Sequence, residues 1–147
     1  MRFRLFKPWV AAIAAVLILA SVVYHELWGK HVYLVTAYCD CAICINIPKY
    51  RDGQFANGKK VHWGGIAADP KVPFGTELEL VPFWPFDFWK IKHVLNERQK
   101  FRVEDRGGKI KGKHIDIFIP QSMGGHQTAL EWGAQRMRVR MNGELVQ

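Results

Sequence analysis

The stretch FRVEDRGGKIKGKHIDIF, Phe101 to Phe118, constrains the fold of this chain more than any other segment. Its ends read as short strands. In the second, Ile115, Ile117 and Ile119 alternate with His114, Asp116 and Phe118. The basic, glycine-rich RGGKIKGK between them suits a loop. Each strand carries an aspartate, Asp105 and Asp116, and strands disfavour that residue. A carboxylate inside a half-buried strand must be solvated or paired, so these two call for a site or a tight turn. Further alternating segments recur along the chain. They are HVYLVTAY, VHWGGIAADP (interrupted at Gly64 and Gly65), ELELV after a Pro-Phe-Gly-Thr turn, and AQRMRVRMN. In the last, Met137, Val139 and Met141 share one face and Arg136, Arg138 and Arg140 the other. QSMGGHQTALEWG predicts a loop and a short helix, opened by Gln127 or Thr128 and ended by Gly133. About six short strands with one short helix predict a mainly β fold, a small barrel.

The N-terminus has a different character. MRFRLFKPW places Arg2, Arg4 and Lys7 before a charge-free run from Trp9 to Tyr24. Residues 1–30 are therefore expected to be a signal-anchor with a transmembrane helix, and residues 31–147 the folded domain. No A-x-A-like site follows the run, which argues against cleavage. Cations before the run place the N-terminus inside and the domain on the outer face of a membrane of the cell envelope. Trp9, Tyr24 and Trp28 sit where interfacial aromatics belong.

The net charge is +8, and most of the excess lies beyond residue 30. Nucleic acid, an anionic membrane surface or an anionic wall polymer would each suit it. An outward-facing domain excludes nucleic acid, and the RMRVR strand reads as a charged outer face. Cys39, Cys41 and Cys44 form C-x-C-x-x-C. A disulfide or free thiols come first as an explanation, a metal second and a nucleophile last. Zinc would need a fourth ligand, with His62 the nearest candidate in sequence and Asp40 after it. VPFWPFDFWKIK fits no period and reads as an aromatic loop, Phe83 to Trp89. Three roles suit that loop: a satellite of the core, a stacking surface for sugars, or a membrane contact with Lys90 and Lys92 toward lipid phosphates. Membrane contact is the expectation.

Four segments in order, TAYCDCAIC, GGIAADPKVPFGTELEL, VEDRGGKIKGKHIDIF and ALEWGAQRMRV, resemble the three-aspartate (3D) domain. The resemblance covers nearly all of residues 33–141. It implies a double-psi β-barrel similar to the catalytic barrel of the membrane-bound lytic transglycosylase A family. Peptidoglycan glycan strands are then the expected substrate, and cleavage of O-glycosyl bonds the expected reaction. The three aspartates map to Asp69, Asp105 and Asp116, with Arg106 standing where the family usually has threonine. The resemblance assigns Asp116 as general acid and then base, with Asp105 and Asp69 setting its pKa and orienting it. Such chemistry needs a carboxyl protonated near neutral pH, which crowding of carboxylates can supply. Lys109 and Lys111, with Gly107, Gly108 and Tyr38, are the candidate substrate-binding residues. The lysines would attract peptide-stem carboxylates, and the glycines would let a bulky glycan approach. No cofactor is expected. A Ca²⁺ or Mg²⁺ site on the aspartates is a minor reading, because no D-x-D-x-D-G spacing is present. The rival function is a barrel that binds the wall without cutting it.

Overall fold

The computed structural model describes residues 8–28, 32–82 and 85–145. The chain forms two units, an N-terminal one up to residue 31 and a second that begins at Val32. Helix α1, Pro8–Trp28, makes the first unit. Its charge-free run, Trp9 to Tyr24, is 16 residues, or about 24 Å at the α-helical rise. That falls short of a bilayer core of roughly 30 Å. Among the described residues no helix is long and apolar enough to cross a membrane. The expected transmembrane helix is therefore not supported.

The second unit is a closed six-stranded barrel. Its strands are β1 (Val32–Tyr38), β2 (Gly65–Ala68), β3 (Glu77–Val81), β4 (Lys100–Asp105), β5 (His114–Phe118) and β6 (Gln135–Met141). They pair in the order β1-β5-β2-β4-β3-β6, and β6 returns to β1 to close the ring. The β1–β5 and β2–β4 pairs are parallel and the others antiparallel. Alternation sends Val35, Ile66, Leu80, Val103, Ile117 and Val139 inward, where they are fully buried. β2 starts only at Gly65, later than the sequence pattern suggests. A Cβ there would sit 2.2 Å from the ring of buried Phe55, so the strand needs a residue without one.

Two helices pack on this unit. Helix α3, Gly125–Trp132, starts two or three residues earlier than expected and ends at Gly133, where φ is 66°. Helix α2, Pro85–His93, replaces the aromatic loop expected over residues 83–89. Phe83 and Trp84 lie outside the described residues. Pro85 opens α2 at the position where its missing N–H costs nothing. Ile91 on α2, with Val94 and Leu95 just beyond it, faces the core, while Phe86, Phe88 and Trp89 point to solvent. Lys90 is not free to face lipid phosphates: its ammonium donates to the carbonyls of Glu131 and Trp132 at the end of α3. A final hairpin adds β7, Glu144–Leu145, to β6. Its Asn142-Gly143 turn has φ of 48° and 87°, the left-handed pair such a turn demands.

Candidate active site

A single row of residues runs across four strands. Asp116 on β5 lies opposite Thr36 on β1 and Ala67 on β2, and Ala67 lies opposite Asp105 on β4. Residues opposite one another share a face of the sheet. The neighbours Ile115, Ile117, Ile66 and Ala68 fill the core, so this row lies on the outer face of the barrel. The small Ala67 stands between the two carboxylates in the row. The register depends on an irregularity between β2 and β4, where pairing steps from Ile66–Val103 to Ala67–Asp105. The extra residue, Glu104, drops out of the ladder, and the slip turns Asp105 onto the face of Asp116.

Asp116 is partly buried, and its pKa is raised above the ordinary carboxylate value. Burial is the largest cause, and the charge of Asp105 adds to it. Opposing the shift, the Thr36 hydroxyl donates to Asp116 Oδ1 at 2.7 Å. The same hydroxyl oxygen lies 3.0 Å from His114 Nε2. With its one proton given to Asp116, Thr36 must accept from an Nε2–H of His114, which fixes the histidine's tautomer. Loss of the Thr36 hydroxyl should therefore raise the Asp116 pKa further. In Thr36→Val the alkaline limb of any Asp116-dependent cleavage should move to higher pH. A limb that stays put or moves lower would show that Asp116 is not the titrating acid.

Asp105 is held from two sides. Tyr38 donates its phenol proton to one carboxylate oxygen, and Ala56 N–H donates to the other at 2.9 Å. Burial and the Asp105 charge push the Tyr38 phenol well above its usual pKa, so it stays a donor. Tyr38 also meets Phe118 edge-on at 5.5 Å, and Phe118 meets Phe55 at 5.4 Å. These rings line the same face of β5 as Asp116.

Asp69 has a different setting. Its oxygens accept from the backbone N–H groups of Lys71, at 2.8 Å, and Gly112. Those bonds hold its carboxyl below the usual range. The first is an Asx-turn, and the second ties the β4–β5 loop to the turn after β2. The contacts of Asp69 are those of a loop clamp.

The loop of the opening stretch is more ordered than its glycines suggest. Ile110 is buried, and a Cβ on Gly107 would lie 2.5 Å from it, whereas Gly108 faces open space. Gly107 thus serves packing, and Gly108 is the one with room for a ligand. Lys109 and Lys111 are exposed along the loop. Arg106 donates to the carbonyls of Val72, at 2.6 Å, and Asp105, at 3.0 Å, and lies over the Phe74 ring at 3.9 Å. It braces the turn after β2 against the end of β4.

Two features escaped the sequence reading. Glu104 is almost fully buried and binds Lys59 Nζ and His62 Nε2, both at 2.6 Å. It anchors the segment before β2 behind the aspartate row, and it borders a cleft of about 500 Å³ that contains none of the three aspartates. His62, the nearest candidate in sequence for a fourth zinc ligand, is taken up by this contact. The residue that does reach the cysteines is His126 on α3, with its Nδ1 3.4 Å from Cys44 Sγ. Its only sequence signal was being one of six histidines.

Crystal structures of MltA from E. coli resemble the barrel. One is 23% identical, covers 58% of this chain and 26% of that one, and gives a TM-score of 0.38. A second, described as a unique lytic transglycosylase fold, is 25% identical with the same coverage and a TM-score of 0.40. A third, with bound chitohexaose, is 21% identical, also at 0.40. The chain therefore spans about a quarter of the length of these proteins. No curated protein shows significant similarity to it. The 3D domain model, by contrast, matches residues 64–142, from the strand before Asp69 through the whole of β6. More than half of the chain, with all three aspartates inside the match, belongs to the 3D domain family.

Proposed function

We propose that this protein is a peptidoglycan lytic enzyme that cleaves O-glycosyl bonds of the glycan strand, with Asp116 as its acid. The observation that carries the reading is a carboxyl with a raised pKa on the outer face of the barrel, in a chain of the 3D family. Asp116 gives its proton to the leaving glycosidic oxygen. It then takes a proton from the attacking hydroxyl. In a lytic transglycosylase that hydroxyl belongs to the sugar itself and leaves an anhydro end. A hydrolase would use water and a second carboxylate, for which Asp105 is the group at hand. Lys109 and Lys111 attract the carboxylates of the peptide stems, Gly108 leaves space for the strand, and Tyr38 holds Asp105. The substrate lies outside the cytoplasmic membrane, so the reading places the barrel there.

The test is incubation of purified peptidoglycan with the full chain, with products read by mass spectrometry. Soluble anhydro-muropeptides would identify a transglycosylase and reducing ends a hydrolase. Protein that pellets with the wall and releases nothing would make the barrel a binding module instead.

The exposed rings of Phe86, Phe88 and Trp89, beside Lys92, form the surface we assign to contact with a membrane. Phe86→Ser/Trp89→Ser should lose most of its sedimentation with anionic vesicles relative to the wild type. Equal sedimentation of the two proteins would refute the assignment.

A further inference from the structure

One side-chain cluster has no part in this chemistry. Cys39 follows β1, Cys41 and Cys44 lie in the loop after it, and His126 stands in the first turn of α3. Their four donor atoms all lie within 4.8 Å of one another. Cys39 Sγ and Cys44 Sγ are 3.6 Å apart, and His126 Nδ1 is 3.4 Å from Cys44 Sγ and 3.8 Å from Cys41 Sγ. These spacings can be compared with a tetrahedral ion. Zn–S bonds of about 2.3 Å and Zn–N bonds of about 2.0–2.1 Å give edges of roughly 3.8 Å between sulfurs and roughly 3.6 Å from sulfur to nitrogen. These three edges agree to a few tenths of an ångström, and the remaining ones lie within 4.8 Å. A disulfide would need about 2.0 Å, and all three cysteines are free.

We propose that Cys39, Cys41, Cys44 and His126 form a structural Zn²⁺ site. The loop is shaped for it. Cys44 N–H points at Cys41 Sγ at 3.5 Å, and Ile45 N–H closes a turn on the Cys41 carbonyl at 2.9 Å. A backbone donor aimed at a sulfur favours the thiolate, the form that ligates. Three thiolates and an imidazole select zinc over the hard cations. Four protein ligands fill its coordination and leave no place for a water, so the ion is structural. It joins a loop at the end of β1 to a helix that begins 81 residues after Cys44. Tyr38 immediately precedes Cys39 and donates to Asp105. The ion thus fixes the strand end that carries one wall of the aspartate row. Loading it displaces three thiol protons, so affinity rises with pH.

The test is metal analysis of the full chain, followed by Co²⁺ titration of the chelated protein. One zinc per chain is expected, with tetrahedral visible bands and a sulfur-to-cobalt charge-transfer band that zinc abolishes. Cys41→Ser and His126→Ala should weaken binding by more than the roughly 10–100-fold typical of changing an outer partner. His126→Cys should retain one ion with a stronger charge-transfer band, which separates ligation from misfolding. His62→Ala should bind as the wild type does. Zinc should raise the melting temperature of the wild type and not that of Cys41→Ser. Absence of a cobalt spectrum, with three reactive thiols or one disulfide and one thiol, would overturn the proposal.

Discussion

Replacing Asp116 by asparagine is expected to lower glycan cleavage by about 10²–10⁴-fold while leaving the melting temperature at neutral pH unchanged or higher. The two halves of that expectation share one cause. Burial raises the Asp116 pKa because the folded chain disfavours its charge. The stability this group contributes is present below the unfolded carboxylate pKa and is lost as pH rises through the folded one. Above the unfolded carboxylate pKa the buried carboxyl is therefore a burden on the fold that asparagine does not carry. The amide oxygen of asparagine can still accept the Thr36 hydroxyl, so the local geometry survives. What it cannot do is give up a proton to a leaving oxygen. Product release from peptidoglycan and a thermal melt, run side by side, check both halves. Wild-type cleavage by the variant would remove Asp116 from the chemistry, and a large fall in melting temperature would make the carboxyl structural.

Much of the barrel was legible because strands write their geometry into alternation. Ile115, Ile117 and Ile119 announce a face, as do Met137 and Val139, and these positions are buried as expected. The pairing of strands is less visible. Asp105 joins Asp116 only because the ladder slips by one residue at Glu104, and nothing in VED marks which acid will leave the ladder. A strict alternation from Phe101 and Val103 would put Asp105 inward and Glu104 outward, the reverse of what the slip produces. The aromatic segment misled for another reason. Asp87, Ile91, Val94 and Leu95 are spaced four, three and one apart, a helical stripe, and all are buried. The large rings of Phe86, Phe88 and Trp89 fall between them and mask the period. The helix was in the sequence, carried by its smaller residues.

The candidate sites divide along the same line. Asp116 stood out locally, as a carboxylate inside an apolar strand. Asp69, beside a proline, carried the ordinary turn reading as well, and its contacts are those of a turn. The cysteines showed three-quarters of a metal site, but the last ligand depends on where α3 docks. His62 was nearer in sequence, and the buried Glu104 carboxylate holds it elsewhere. Long-range contact, which sequence spacing does not encode, decided between the two histidines.

Trp132→Ala is expected to destabilise the barrel by about 3–5 kcal/mol, the largest stability loss among single changes outside the zinc cluster. Trp132 ends α3, is wholly buried, and is among the largest side chains in the core. Its indole N–H donates to the Val35 carbonyl at 3.1 Å, so it fastens the helix directly to β1. Val35 sits at the last β1–β6 pair, opposite Gln135. Truncation therefore opens a cavity at the seam where the barrel closes and leaves a buried carbonyl without its partner. For a domain near this size, each kcal/mol lowers the melting temperature by roughly 4–8 °C, so a fall of well over 10 °C should be seen by thermal or urea unfolding. Trp132→Phe divides the two contributions. It keeps most of the ring and loses only the hydrogen bond, so it should lose about 1 kcal/mol from that bond plus a smaller cavity term. If both variants melted within a few degrees of the wild type, α3 would not be fastened to β1 through this residue. The expected linkage has a further consequence for the cysteine cluster. α3 also carries His126, so loosening Trp132 should weaken metal binding without altering any ligand. A Trp132→Ala chain that still binds Co²⁺ as tightly as the wild type would show that His126 is placed by the loop alone.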